Sequence, residues 1–208
     1  MSRSGGGGGG QQRTCCSSCC AFIFTTGFMI LIYWAIFQPH QIRATVDSAA
    51  LSNLTVSTSP SAVSYRLAVG LSLYNPSKRV NIYYDAVDAE LRLRDGGAVI
   101  GTGPASASPT EFLQKRKTGE VVRIEFEGNG VGVPGDVAGE LEKEVKGEAP
   151  AVRLEVDVFV RVRYVFAAVK IRQKPRIRCS ISVPVKKEGR GNGVGGVISS
   201  GDRCSVKY

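Results

Sequence analysis

The chain contains 208 residues, 43% of them hydrophobic, which is enough for one domain with a buried core and additional segments. Its formal net charge of +9 and pI near 9.4 favour an anionic neighbour, such as nucleic acid, anionic lipid or an acidic polysaccharide. His40 is the only histidine, which excludes a zinc site built on two histidines and a Ser/His catalytic pair inside the domain.

The first 37 residues predict a polar tail followed by one membrane helix. Residues 1–14 are rich in Gly, Ser and Gln and are predicted to form a disordered cytoplasmic tail. Residues 15–37 carry no charged side chain, and as a helix they would rise about 35 Å, enough for a hydrocarbon core of about 30 Å. A cleaved signal peptide and a buried core helix are the alternatives. The long aromatic segment, with no small-x-small cleavage site after it, favours an uncleaved anchor.

The basic residues around this helix predict its orientation. Arg3 and Arg13 lie before it, together with the terminal amine, and Arg43 lies after it. The positive-inside bias therefore places the N-terminus in the cytoplasm and residues 38–208 outside the cell or in a lumen. This topology excludes nucleic acid as a partner.

The six cysteines fall into two groups. Cys15, Cys16, Cys19 and Cys20 lie where the helix would meet the cytoplasm, which makes them candidates for S-acylation, with a plain apolar helix start as the alternative. Cys179 and Cys204 lie in the outer part of the chain. In an oxidising compartment they are candidates for a disulfide, although Cys179 falls on the apolar face of a strand and would also be buried without one.

The chain beyond the helix alternates apolar and polar side chains in several segments, the pattern of antiparallel sheets with one face in water. The segments are 65–74, 87–94, 122–127, 152–166 and 177–185, with 203–208 as a further candidate strand. They predict a mainly β protein, an antiparallel β-sandwich of the immunoglobulin or fibronectin type. Residues 38–62 are expected to supply a membrane-proximal segment and the first strand, and residues 63–208 the remainder of the sandwich.

One segment departs from the strand pattern. Val137, Leu141 and Val145 recur at helical spacing and predict a short amphipathic helix over one end of the sandwich, with Asp136 as N-cap and Gly147 after its last turn. Residues 186–202 are expected to form a long flexible loop before the last strand.

A glycine-rich segment imitates a nucleotide-binding motif. Gly130, Gly132 and Gly135 have the spacing of a dinucleotide fingerprint, and Glu155 follows twenty residues later. However, the strand before them alternates with charged residues, whereas the first strand of a dinucleotide-binding fold is buried on both faces. We therefore interpret the segment as a glycine-rich connection and predict no cofactor.

Five basic residues at alternate positions of the chain form a candidate contact for polyanions. On an extended chain they share one face, and we call them the basic stripe: Lys170, Arg172, Lys174, Arg176 and Arg178. Such a ladder suits an acidic wall polysaccharide or anionic headgroups. The alternative is a solvated outer face whose charges protect a strand edge.

Two asparagines have local roles that the sequence predicts. Asn53 begins an Asn-Leu-Thr glycosylation sequon in the segment predicted to be outside the cytoplasm. Asn75-Pro76 suits the first two positions of a type I turn between strands. Lys78 and Arg79 then project from the loop, where a partner could contact them.

The combination of these features resembles a plant family. A polar N-terminus, one membrane helix, a β-sandwich and the segment LYNPSKRVNIYYD are similar to the harpin-induced-like, non-race-specific-disease-resistance-like membrane proteins with a group 2 late-embryogenesis-abundant domain. The segment 109–119 departs from the family pattern, since Phe112 and Gln114 match it only in part. The resemblance implies a single-pass plasma-membrane protein of plant defence and stress responses, at plasmodesmata in some relatives, without enzymatic activity.

Three functions follow as hypotheses. The first is a membrane-anchored interaction or adhesion protein that contacts acidic wall polysaccharide, anionic lipid or another membrane protein. The second is a carrier of lipid or another apolar ligand, with a cavity beneath the short helix. The third, an enzyme, lacks a cluster of acids or metal ligands in the sequence, and the oligomeric state is left open.

Overall fold

The computed structural model describes residues 11–37, 41–93, 99–103, 111–147, 150–166, 169–187, 193–199 and 201–208. The N-terminal helix and the β-rich part of the chain are two separate units. Helix α1 spans Gln11–Phe37 and begins four residues before the predicted start of the apolar segment. Among the described residues it is the one helix long and apolar enough to cross a membrane, over Ser18–Ala35, and a signal sequence would meet the same criteria.

The β-rich unit consists of two antiparallel sheets, which confirms the predicted mainly β sandwich. Within the described ranges, the first sheet has the order β10-β11-β1-β2-β6. Its strands are β1 (Arg43–Thr58), β2 (Ser61–Tyr74), β6 (Gly119–Gly132), β10 (Lys186–Lys187) and β11 (Val194–Ile198).

The second sheet has the order β12-β9-β7-β3-β4 in the described part of the chain, with β5 also paired to β3 and β8 also paired to β7. Its strands are β3 (Asn81–Leu93), β4 (Val99–Gly103), β5 (Phe112–Gln114), β7 (Ala151–Phe166), β8 (Val169–Gln173), β9 (Arg176–Pro184) and β12 (Ser205–Lys207).

The inward faces of both sheets share one hydrophobic core. Alternation along β2 buries Leu67, Val69 and Leu71, and alternation along β7 buries Val156 and Val158 in the same cluster. Full burial of one such side chain contributes about 1.5–3 kcal/mol, so the period-two pattern supplies most of the driving force for pairing the sheets. The opposite faces are left for charged side chains.

Helix α2 (Gly135–Lys146) confirms the predicted short amphipathic helix and contacts β1, β2 and β7. It buries Val137, Ala138 and Leu141 in the common core. The predicted cap at Asp136 is wrong, because the N-cap is Pro134, whose carbonyl accepts a hydrogen bond from the Ala138 N–H. Asp136 instead lies in the first turn, where its carboxylate is favoured by the helix dipole.

The predicted flexible loop over 186–202 is also corrected, because β10 and β11 form inside it and β11 pairs with β1. The segment Val194–Ile198 contains two glycines and lacks the alternation that marks a strand in sequence. Gly196 is required by close packing, because a Cβ at this position would lie 1.8 Å from the carbonyl oxygen of Pro184. Residues 188–192 and 200 of this segment lie outside the described residues.

The two ends of the sandwich differ. At one end β1 begins at Arg43, which pairs with Tyr74 of β2, and Tyr74 pairs with Gly119 of β6. We call this the entry end, because the chain enters the sandwich there. The helix α2 lies at the opposite end, where Val133, just before the helix, donates its N–H to the carbonyl of Ser61.

Candidate functional site

The turn that contains Asn75 lies at the entry end and is held by the buried Asn75 side chain. Its Oδ1 accepts the Ser77 N–H at 3.0 Å, and its Nδ2 donates to the carbonyls of Val80 at 2.9 Å and Lys115 at 3.2 Å. The Ser77 hydroxyl in turn accepts the N–H groups of Arg79 and Val80. These bonds fix the loop, and they leave Lys78 and Arg79 exposed at its tip.

Gln114 is a second buried polar residue of the same end, and sequence reasoning missed its importance. Its Nε2 donates to the carbonyls of Leu73 at 2.7 Å and Thr118 at 3.0 Å, and its Oε1 accepts the Tyr84 hydroxyl at 3.0 Å. The Tyr84 ring stacks on Phe112 with centroids 4.3 Å apart. Burial, with a smaller effect of Tyr208, raises the pKa of Tyr84 above its ordinary value. Gln114 and Tyr84 therefore tie β5 to β2 and β3.

The basic stripe lies on the outward face of the second sheet. Strands β8 and β9 pair with β7 in one continuous register, in which Arg172 lies opposite Arg163, Arg176 opposite Phe159 and Arg178 opposite Asp157. Lys174 falls in the two-residue gap between the strands. The five cations are therefore aligned, although they differ in their neighbours.

Two residues of the basic stripe, the arginines of β9, are bound by the fully buried carboxylate of Asp157. It accepts hydrogen bonds from Arg176 Nη2 at 2.5 Å and from Arg178 Nε at 2.9 Å and Nη2 at 3.3 Å. Arg92 of β3 brings its Nε within 3.4 Å of the same carboxylate. Arg176 also lies over the ring of Phe159, 5.1 Å from its centroid. These two cations are therefore part of a structural network.

The remaining three stripe residues, Lys170, Arg172 and Lys174, are exposed and make no ion pair with another described residue. On the neighbouring strands, Arg163 binds Asp85, and Arg161 lies 3.9 Å from Asp88. The exposed part of the stripe is thus the half nearer the entry end.

The charge state of Asp157 is controlled by its partners. Burial alone would raise the pKa of its carboxyl, but the hydrogen bonds and charges of Arg178 and Arg176 outweigh burial and lower that pKa. The same contact raises the pKa of Arg178. At neutral pH the network is therefore an ionised carboxylate shared among guanidinium groups.

Asp157→Asn is expected to lower the free energy of unfolding at pH 7 by about 2 kcal/mol, since the arginines lose their counter-ion but stay partly solvated. The folded pKa lies below the unfolded value of about 3.9, so this stabilisation is present above that value and is lost as the pH falls through the folded pKa. Urea unfolding of the full-length protein in detergent at neutral and acidic pH measures the difference between variant and wild type, which should shrink in acid.

Asp88→Asn is the matched control, because Asp88 and Arg161 are both more than half exposed and their contact is worth at most about 1 kcal/mol. If Asp157→Asn lowers the free energy of unfolding by the same amount in acid as at neutral pH, the effect comes from packing rather than from charge.

The cysteines occupy two environments. Cys179 on β9 and Cys204 are joined by a disulfide, and Cys179 is buried in the core. Cys19 and Cys20 are free and exposed on α1. Cys15 and Cys16 belong to the same helix, but their side chains lie outside the described residues.

Asn53 is exposed on β1, at a break in the pairing with β2 between Ser52 and Thr55. Its φ of +54° is a left-handed conformation that asparagine adopts more readily than most residues. The predicted glycosylation acceptor therefore stands on a local bulge rather than in a regular ladder.

The glycine-rich segment does not have the geometry of a nucleotide site. Gly130 and Gly132 lie within β6, which is antiparallel to β2, and Gly132 pairs with Ala62. Gly130 has a φ of +61°, and its N–H donates to the Ser64 hydroxyl at 2.8 Å. Within the described ranges, no three His, Cys, Asp or Glu side chains are grouped as metal ligands.

Comparison with known proteins finds similarity to plant proteins over about half of the chain. No protein-family model matches. NDR1/HIN1-like protein 10 of Arabidopsis thaliana is 28% identical over 102 residues, 49% of this chain and 42% of that protein. NDR1/HIN1-like protein 3 of the same organism is 30% identical with the same coverage. NDR1/HIN1-like protein 2 is 29% identical over 108 residues, 52% of this chain and 42% of its own length.

The chain thus matches less than half of the length of each of these relatives. Among solved structures, a crystal structure of a protein from Archaeoglobus fulgidus is 8% identical in sequence, with a TM-score of 0.32. It covers 72% of this chain and 98% of its own.

Proposed function

We propose that the chain, which is similar to the NDR1/HIN1-like plant proteins over about half its length, is a membrane-anchored, non-enzymatic protein of plant defence and stress responses. Its sandwich acts as an interaction or adhesion module. The anchor is the uncleaved helix α1 in the plasma membrane, with the N-terminus in the cytoplasm, and plasmodesmata are included among its locations.

Two features support this topology. The Cys179–Cys204 disulfide is typical of an oxidising compartment, as expected for a sandwich outside the cytoplasm. The exposed Asn53 is then available as a glycan acceptor. On the other side of the membrane, Cys15, Cys16, Cys19 and Cys20 are the proposed acylation sites.

The interaction role is supported by one observation: two residues of the basic stripe are ion-paired within the fold, and three are exposed and unpaired among the described residues. Arg176 and Arg178 are both paired with Asp157, whereas Lys170, Arg172 and Lys174 stand exposed without an acidic partner among the described residues. Cations held in register on a sheet, rather than on a mobile tail, present a regular surface to an extended polyanion. An acidic wall polysaccharide is the proposed partner class.

The alternative of an apolar-ligand carrier has less support. It places a cavity beneath α2, but the side chains there, Val137, Ala138 and Leu141, belong to the common core. The interaction module is therefore the function that we propose.

Binding of polygalacturonate to the full-length protein in neutral phosphatidylcholine nanodiscs tests this function. We expect affinity to fall steeply with added salt, because exposed charges are screened within about 10 Å at moderate ionic strength. Changing Lys170, Arg172 and Lys174 together to Gln should weaken binding roughly tenfold.

The control replaces three cations at the other end of the sandwich, Lys143, Lys146 and Lys186, by Gln, for the same change in net charge. Binding that is absent or insensitive to salt, or that weakens equally in both variants, would rule out the stripe as the contact.

A further inference from the structure

Two loops of the entry end are joined by hydrogen bonds into one surface. The first, residues 75–80, connects β2 to β3, and the second, residues 115–118, connects β5 to β6. The Asn75 N–H donates to the carbonyl of Thr118 at 3.0 Å, and Asn75 Nδ2 donates to the carbonyl of Lys115 at 3.2 Å. The loops are therefore held side by side by a buried residue.

Every basic side chain on these two loops is exposed. We call the set the entry-end cluster, and none of its members makes an ion pair with another described residue: Lys78, Arg79, Lys115, Arg116 and Lys117. The nearest acidic residue in sequence is Glu120, two positions after the second loop. Five cations on adjacent, internally bonded loops repel one another, so this end favours an anionic partner.

Only a short stretch of sequence separates this end from the apolar helix. The last residue of α1 is Phe37, and β1 starts at the same end as the cluster with Arg43, only six positions later. A fully extended chain of this length spans about 20 Å. If α1 lies in a bilayer, the covalent chain therefore holds the entry end close to the membrane surface.

The opposite end of the sandwich carries acidic residues. The helix α2 has Asp136, Glu140, Glu142 and Glu144 against Lys143 and Lys146. Four carboxylates against two lysines give this helix a negative net charge, and Lys146 is already paired with Glu142 within it. The two loops that carry the entry-end cluster contain no acidic residue, so an anionic surface orients the sandwich with this end first.

We propose that the entry-end cluster binds the anionic lipid headgroups of the membrane that its own helix spans, and so fixes the orientation of the sandwich on that membrane. This inference rests on the membrane anchor of the proposed function. Lys and Arg close to a bilayer are attracted, within a Debye length, to anionic headgroups of the leaflet that they face, which in the proposed topology is the extracytoplasmic one. The short connection keeps the effective concentration of the cluster at the surface high, so weak individual attractions suffice.

The test is lysine footprinting of the full-length protein in two kinds of nanodisc, one of phosphatidylcholine and one with about 30% phosphatidylserine. A neutral acylating reagent labels exposed lysines, and mass spectrometry reads the labelling rate at each site. We expect Lys78, Lys115 and Lys117 to be labelled about fivefold more slowly in the anionic nanodiscs. Lys143 and Lys186 are controls within the same sample and should label equally in both.

A pair of variants tests whether the charge of the cluster, and not the net charge of the protein, causes the protection. Arg79→Gln with Arg116→Gln keeps the three reporter lysines and should remove most of the protection, as should about 0.5 M salt. Arg66→Gln with Arg123→Gln removes the same charge from the outward face of the first sheet and should leave the protection unchanged.

Four outcomes overturn the proposal. Equal labelling in the two nanodiscs, with the chain retained after a high-salt wash, refutes the cluster but leaves the anchor intact. Loss of the chain from the nanodiscs refutes the anchor and the cluster together. Protection that survives the Arg79→Gln, Arg116→Gln variant refutes the electrostatic contact. Protection by polygalacturonate in neutral nanodiscs, without protection by phosphatidylserine, assigns the cluster to a polysaccharide instead.

Discussion

Replacement of Asn75 by alanine is expected to lower the free energy of unfolding by about 3–4 kcal/mol. The side chain makes three hydrogen bonds inside the fold, each worth about 1–1.5 kcal/mol net, and its removal leaves the N–H of the buried Ser77 without a partner. Because one of the bonds reaches Lys115, both entry-end loops should loosen together. Urea unfolding of the full-length protein in detergent measures the loss.

Asn81→Ala is the control, since Asn81 is a half-buried asparagine that begins the next strand and has no comparable set of bonds. Its effect should stay within about 0.5 kcal/mol, the range of surface substitutions. Equal losses in the two variants would show that Asn75 acts through strand propensity and not through its hydrogen bonds.

Removal of the disulfide, by Cys179→Ala with Cys204→Ala, is expected to lower the free energy of unfolding by about 3 kcal/mol. The bond closes a loop with a sequence separation of 25 residues, and the chain-entropy model assigns this value to loops of that length. Cys179 is also buried, so the alanine leaves a small space in the core. The loss should be largest for β12, whose pairing with β9 covers only three residues.

Reduction of the wild-type protein provides the control for this pair. A thiol reductant should destabilise the wild type by a similar amount and leave the double variant unchanged. A wild type whose unfolding is insensitive to reductant would contradict a structural role for the bond.

Much of the fold follows from side-chain alternation. The period of two along residues 65–74 and 152–164 identified which residues face the core, because a strand exposes its two faces alternately. Helical spacing identified Val137 and Leu141 in α2. By contrast, β11 could not be predicted, since its two glycines carry no side chain to mark a buried face.

The site was less accessible to sequence reasoning. Alternation places Lys170 to Arg178 on one face, but only the register of β7 with β9 brings Asp157 opposite Arg178. Arg176 and Arg178, which are paired with Asp157, therefore could not be distinguished from the unpaired residues of the stripe by sequence alone. The partnership of Asn75 with the loop at Lys115 is also non-local, with a sequence separation of 40.

The pairing of β1 has a consequence for the time at which the sandwich can form. One neighbour of β1 is β2, but the other is β11, and the N–H of Cys204 donates to the carbonyl of Ala44. Strand β1 therefore cannot complete its pairing until β11 (Val194–Ile198) has also been synthesised. Its open edge is a template for wrong partners in the interval, and contacts between distant residues form slowly. The first sheet cannot close until β11 has been made, so its biogenesis depends on what shields that edge in the meantime.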